Sequence, residues 1–226
     1  MKIWRIVMGK SQVLLLVALQ FAWVAGSFAI EIPKSKFDGD GDGEWSLRRE
    51  SAGLRILTRN LTDSDLKAVR IETSLAVELS KVVALLTEAS RRPEWDEMCK
   101  TVTVLSTSEN KQRAYFHYDM PWPVADRDMV LQTEVYRVAD AVVVLSEAVS
   151  NNYALKPGRV RVSEAWYRWQ LTALSPTKTA VVAEMFMDPA GPIPAWLLNR
   201  LALTQPANTV ERLNYVLEFE KSLADE

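Results

Sequence analysis

The sequence predicts an α+β domain in which a curved antiparallel sheet packs against a long C-terminal helix. Two observations carry this. From Glu44 to Met187 the chain reads mostly as short strand-like runs punctuated by turn residues, and after Ile193 the hydrophobic period becomes helical and stays so. Such a sheet and one apolar helix bury each other when the helix lies across the sheet. Strong twist holds part of the concave face away from the helix, leaving a space that large side chains fill or that remains an apolar cavity.

Composition narrows the class. The 226 residues are nearly half apolar and carry a formal net charge of -2, which suits one domain with a real core and offers no basic excess for nucleic acid. Cys99 and His117 are the only cysteine and histidine, so an intramolecular disulfide is excluded and neither a metal centre nor a cofactor is expected.

Lys2, Arg5 and Lys10 precede an apolar run from Val13 to Ala29, with small Ser27 and Ala29 at its end. This predicts a signal peptide over 1–29 and an exported protein, periplasmic or secreted, whose mature chain starts near Ile30. An uncleaved anchor is the alternative, because the run is close to the ~17-residue lower limit for a membrane-spanning helix. Residues 30–43 read as a flexible acidic linker. Asp38, Asp40, Asp42 and Gly43 imitate a calcium loop, but Arg49 stands where a bidentate glutamate should close it.

Over 44–226 the elements follow in order. Trp45–Arg49, Leu54–Asn60 and Leu66–Thr73 are strands broken by turn residues. Ala76, Leu79, Val82, Val83 and Leu86 recur at helical spacing, with Thr73 or Ser74 as the cap, and Pro93 closes that region before Trp95 heads an extended segment. Strands are expected at Thr101–Ser106, Gln112–Asp119, Arg127–Val138, Ala141–Val149, Arg159–Leu174 and Thr179–Met187. A final amphipathic helix over Pro206–Leu223 aligns Val210, Leu213 and Leu217 on one face, as core and cavity wall. In the strand from Arg159, alternation sets Ala165, Tyr167, Trp169, Leu171 and Ala173 on the face taken as inward.

Other candidates lie around residue 120. Trp122, stiffened by Pro121 and Pro123, is either a lid residue suited to a membrane interface or a loop anchor packed on the sheet. Arg127 and Asp128 open a strand and point to opposite faces. His117 alternates with Arg113, Tyr115 and Asp119, opposite the more apolar Ala114, Phe116, Tyr118 and Met120. No nucleophile turn accompanies it, and catalysis is not expected.

Several motifs occur in a meaningful order: W-x-L-x-x-E-x-x-G-L-x-I-x-T-R at Trp45–Arg59, Arg92-Pro93-Glu94-Trp95, Pro121-Trp122-Pro123 with Arg127-Asp128, and the segment from Asp188-Pro189 to Trp196. Together they resemble the START lipid-transfer domain over Glu44 to about Leu223. The resemblance implies a helix-grip fold with one lipid-sized tunnel, its entrance covered by the loop from Met120 to Asp126 and by the C-terminal helix. It also implies a non-catalytic carrier of a lipid or other apolar small molecule, and Arg127 as a possible head-group contact beside its reading as a structural ion pair. The candidate cavity or lid set is therefore His117, Pro121, Trp122, Pro123, Arg127, Tyr167, Trp169, Val210, Leu213 and Leu217, in a monomer that touches membranes transiently. Alternatives are a polyketide cyclase- or aromatase-like enzyme on the same scaffold, using His117, Arg127 or a tyrosine, and an interaction domain whose cavity is filled by its own aromatic residues.

Overall fold

Strands β1 (Ser46–Ser51), β2 (Leu54–Leu61) and β3 (Ser64–Leu75) form an antiparallel meander. The first hairpin closes through Ala52 and Gly53, both at positive φ (48° and 80°), which matches the twist of paired strands. This computed structural model describes residues 43–62, 64–138, 140–149, 153–194, 197–198 and 204–224. The expected signal peptide and all of the linker but Gly43 lie outside them.

The first helix differs from expectation at its start. Thr73 and Ser74 do not cap it; they belong to β3, where they face Val181 and Ala180 of the neighbouring strand. Ladder hydrogen bonds running to Leu75 take precedence over a cap, so α1 covers only Leu79–Thr87 and begins at Glu78 without a side-chain cap. Pro93 does not end the helical region either. A 3-10 turn (Ala89–Arg91) leads into a short second helix, α2 (Arg92–Trp95), with Pro93 in its first turn, where the missing N–H costs nothing. Trp95 thus closes a helix rather than opening a strand, and is buried at 1% exposure.

Next come β4 (Cys99–Thr107), β5 (Lys111–Tyr118), β6 (Asp126–Val138) and β7 (Ala141–Ala148), each pairing antiparallel with the next. The expected strand Arg159–Leu174 is two strands. β8 (Arg159–Arg161) pairs parallel with the start of β6, beyond the reach of β7, and the chain then swings into β9 (Glu164–Ser175) and β10 (Lys178–Asp188). The full order is β1-β2-β3-β10-β9-β7-β6-β5-β4, with β8 off this path.

The final helix, α3 (Gln205–Ala224), buries Ala207, Val210, Leu213 and Leu217, a single stripe at helical spacing. These join Ala165, Tyr167, Trp169 and Leu171 of β9 and Val82, Val83 and Leu85 of α1 in one core. Ala173 keeps its place in the ladder, opposite Thr179, but is exposed near the end of β9. The result is the expected helix-grip architecture.

Candidate functional site

Between the sheet and α3 lies a cavity of about 150 Å³. Its walls come from every part of the domain: Leu66 and Val69 of β3, Met129 of β6, Tyr167 and Trp169 of β9, Met185 to Met187 of β10, and Pro206 and Thr209 of α3. All five methionines among the described residues, Met98, Met120, Met129, Met185 and Met187, line it. Methionine is unbranched and polarisable, so such a wall repacks at low cost around ligands of different shape.

A polar group interrupts the apolar lining. Arg92 donates from Nε to Asp96 at 2.8 Å, and its guanidinium lies 4.2 Å over the Trp95 ring and 5.5 Å over that of Tyr167. Burial alone would lower the Arg92 pKa, but the ion pair with Asp96 outweighs it and holds the guanidinium charged. Burial pushes the Tyr167 hydroxyl up to about 12 and that of Tyr118 well above its ordinary value, so both remain neutral hydroxyls. Cys99, close by, is likewise pushed up to about 12 by burial, against the opposing effect of Arg92. The Tyr118 hydroxyl and both ends of the Gln205 amide are buried without a hydrogen-bond partner.

Over this cavity the two proline-rich segments meet. Arg127, 3% exposed, donates from Nε to the Pro189 carbonyl at 2.9 Å and from Nη2 to that of Ala190 at 2.7 Å, while Nη1 donates to the Ala125 carbonyl. Burial lowers its pKa from the ordinary arginine value. Its hydrogen-bond partners are carbonyls, so the structural-ion-pair reading gives way to a clamp: one planar fork holds residue 125 against residues 189–190. Those residues turn tightly, with Ala190 and Gly191 at φ 54° and 66° and the Ala190 amide donating to Asp188.

The base of the same loop is fixed from the other side of the sheet. Asp126 accepts from the Met120 amide at 3.1 Å and pairs with His117 Nε2 at 2.7 Å. Burial raises the Asp126 pKa, but His117, the Met120 amide and Lys100 outweigh it and hold the carboxyl below its ordinary value. Beside them, Asp128 receives Tyr115 at 2.8 Å and Arg161 at 2.6 Å. The loop tip stands free: Trp122 is 90% exposed, which removes the packed-anchor reading.

The sequence candidates therefore separate. Tyr167, Trp169 and Arg127 line the cavity, Trp122 with Pro121 and Pro123 forms the loop above it, and Val210, Leu213 and Leu217 pack in the core beside it. His117 belongs to the loop's base and is bound to Asp126, so it does not offer a free base to a molecule in the cavity. Sequence reasoning missed Arg92, Asp96, Gln205 and the methionines as a set. Part of the signal was available, since Tyr118 and Met120 share the apolar face opposite His117.

Comparison with known proteins agrees with this geometry. The model of the START domain family matches residues 39–217. A STAR-related lipid transfer protein fragment from Xanthomonas axonopodis superposes with a TM-score of 0.70 at 30% identity, covering 77% of this chain and 98% of that one. The phosphatidylcholine transfer protein of Mus musculus is 29% identical over 168 residues, covering 69% of this chain and 75% of its own. Human StAR-related lipid transfer protein 5 shares the fold, with a TM-score of 0.71 at 19% identity, covering 93% of this chain and 97% of its own.

Proposed function

This chain belongs to the START domain family, and from that premise we propose that it binds one hydrophobic molecule, a lipid or lipid-like ligand, and carries it through water without reacting with it. The observation that carries the reading is the methionine- and aromatic-walled cavity beneath a clamped loop. Apolar surface leaving water stabilises a complex by about 25 cal/mol per Å², so an alkyl chain or ring system needs few polar contacts there.

The volume of about 150 Å³ is small beside the roughly 300–1,000 Å³ of ordinary ligand sites. Loading a whole lipid accordingly requires the walls to repack and the loop over 120–125 to lift. The exposed Trp122 at its tip suits a membrane interface, where an amphipathic ring is favoured at the water boundary. Docking of that ring would bring the mouth to the bilayer at the moment of exchange.

The purified chain, prepared without detergent, tests this by native against denaturing mass spectrometry and by titration with lipids. A stoichiometric apolar molecule released on denaturation is expected. A folded chain that arrives empty and then takes up no lipid from a broad panel would overturn the carrier reading.

A further inference from the structure

Resting on the carrier reading, the polar atoms of the cavity narrow the ligand class. We infer that Tyr118 and Gln205 form a hydrogen-bonding site for an uncharged oxygen function, a hydroxyl or carbonyl, on an otherwise apolar ligand. Tyr118 closes β5 and Gln205 opens α3, and each is only 8% exposed and lines the same cavity. The Tyr118 hydroxyl and the Gln205 amide nitrogen and oxygen are all buried without a partner.

Native interiors leave few such groups, because a buried donor or acceptor without a partner bears the full cost of leaving water. Two side chains from distant parts of the sequence, both orphaned on one cavity, are accounted for if a ligand completes them. Together they offer hydroxyl and amide donors, which a carbonyl or hydroxyl oxygen can accept, and one amide acceptor, which a ligand hydroxyl also satisfies. The charged pair on the same wall, Arg92 with Asp96, is neutral as a unit. Of the other two cations on the lining, Arg127 gives its fork to three carbonyls and Lys67 is exposed at the rim, so a neutral group fits Tyr118 and Gln205 better than a carboxylate, whose charge would need a free cation beside it to compensate for burial.

The test uses three small probes of similar ring size, toluene, phenol and benzoate, because a cavity of about 150 Å³ has room for a benzene-sized molecule. Their affinities are measured by calorimetry for the wild-type chain, Tyr118→Phe and Gln205→Leu. Phenol should bind the wild type about tenfold more tightly than toluene, against their order of apolarity, and each substitution should remove about that factor for phenol alone. Neither substitution should lower the melting temperature of the empty protein, since Tyr118→Phe removes one polar atom and Gln205→Leu two, none of which has a hydrogen-bond partner. Equal or tighter binding of toluene, a preference for benzoate, or an unchanged phenol-to-toluene ratio in both variants overturns the inference. So does a melting temperature lowered by both, which would mean protein or trapped water already uses these atoms. Binding without discrimination sinks this inference alone; failure of every probe, with lipids also refused, sinks the carrier reading with it.

Discussion

Replacing Arg127 by methionine should loosen the loop over the cavity while leaving the fold standing. Methionine keeps an unbranched apolar stem but removes the fork that donates to the carbonyls of Ala125, Pro189 and Ala190. A hydrogen bond from a charged donor contributes roughly 1.5–3 kcal/mol. Three on one side chain do not add in full, because water can reach carbonyls at a loosened mouth and because the substitution also relieves the burial that lowers the Arg127 pKa. A loss of about 2–4 kcal/mol follows, within the usual 5–15 kcal/mol stability of a domain. Urea unfolding followed by tryptophan fluorescence measures it, and stopped-flow release of a fluorescent fatty ligand should accelerate in parallel. Arg127→Lys should behave like the methionine variant, since an ammonium cannot reproduce a planar fork on three fixed acceptors. A loss below about 0.5 kcal/mol with unchanged release would refute the clamp, and full rescue by lysine would show that charge, not geometry, holds the loop.

Three further outcomes are expected. Trp122→Ala should leave the urea midpoint unchanged, because the ring is 90% exposed, yet weaken co-flotation with phospholipid vesicles and slow ligand delivery to them; unchanged delivery would remove the docking role. Asp126 is held below its ordinary value of 3.8, so it contributes stability that is present above that pH and lost as pH falls through the lower folded value; Asp126→Asn should flatten that acid limb, and an unchanged limb would contradict the pairing with His117. Cys99, buried and pushed up to about 12, should resist a thiol reagent at pH 8 until the chain unfolds, whereas rapid native labelling would show the core around Arg92 to be open.

What the sequence revealed and concealed follows from the range of each signal. Alternation acts over two residues, so it located Tyr167 and Trp169 on the inner face of β9 and both line the cavity. It could not locate the break at Val162 and Ser163, because β8 owes its existence to a parallel partner, Asp126 to Asp128, more than thirty residues earlier. Proline was read as a stop at residue 93 where it is a start, since the same missing N–H serves both ends of a helical segment. Arg127 was conspicuous in sequence, but its acceptors are backbone carbonyls that every residue carries, and no side-chain pattern announces those.

The same logic explains why the inner polar atoms were invisible. Gln205 precedes the apolar stripe of α3 and on sequence grounds is an ordinary solvated residue at a helix start. Only the packing of α3 across the sheet buries it, and alternation, which puts Tyr118 on the apolar face of β5, says nothing of whether its hydroxyl finds a partner there. A fold needs apolar residues at these positions more than polar ones, because each orphaned atom opposes folding and methionine or phenylalanine would not. Retaining a hydroxyl and an amide there is therefore best explained by what they bind. The cavity's adaptable methionine wall sets the size of the cargo loosely, while Tyr118 and Gln205 would set its chemistry.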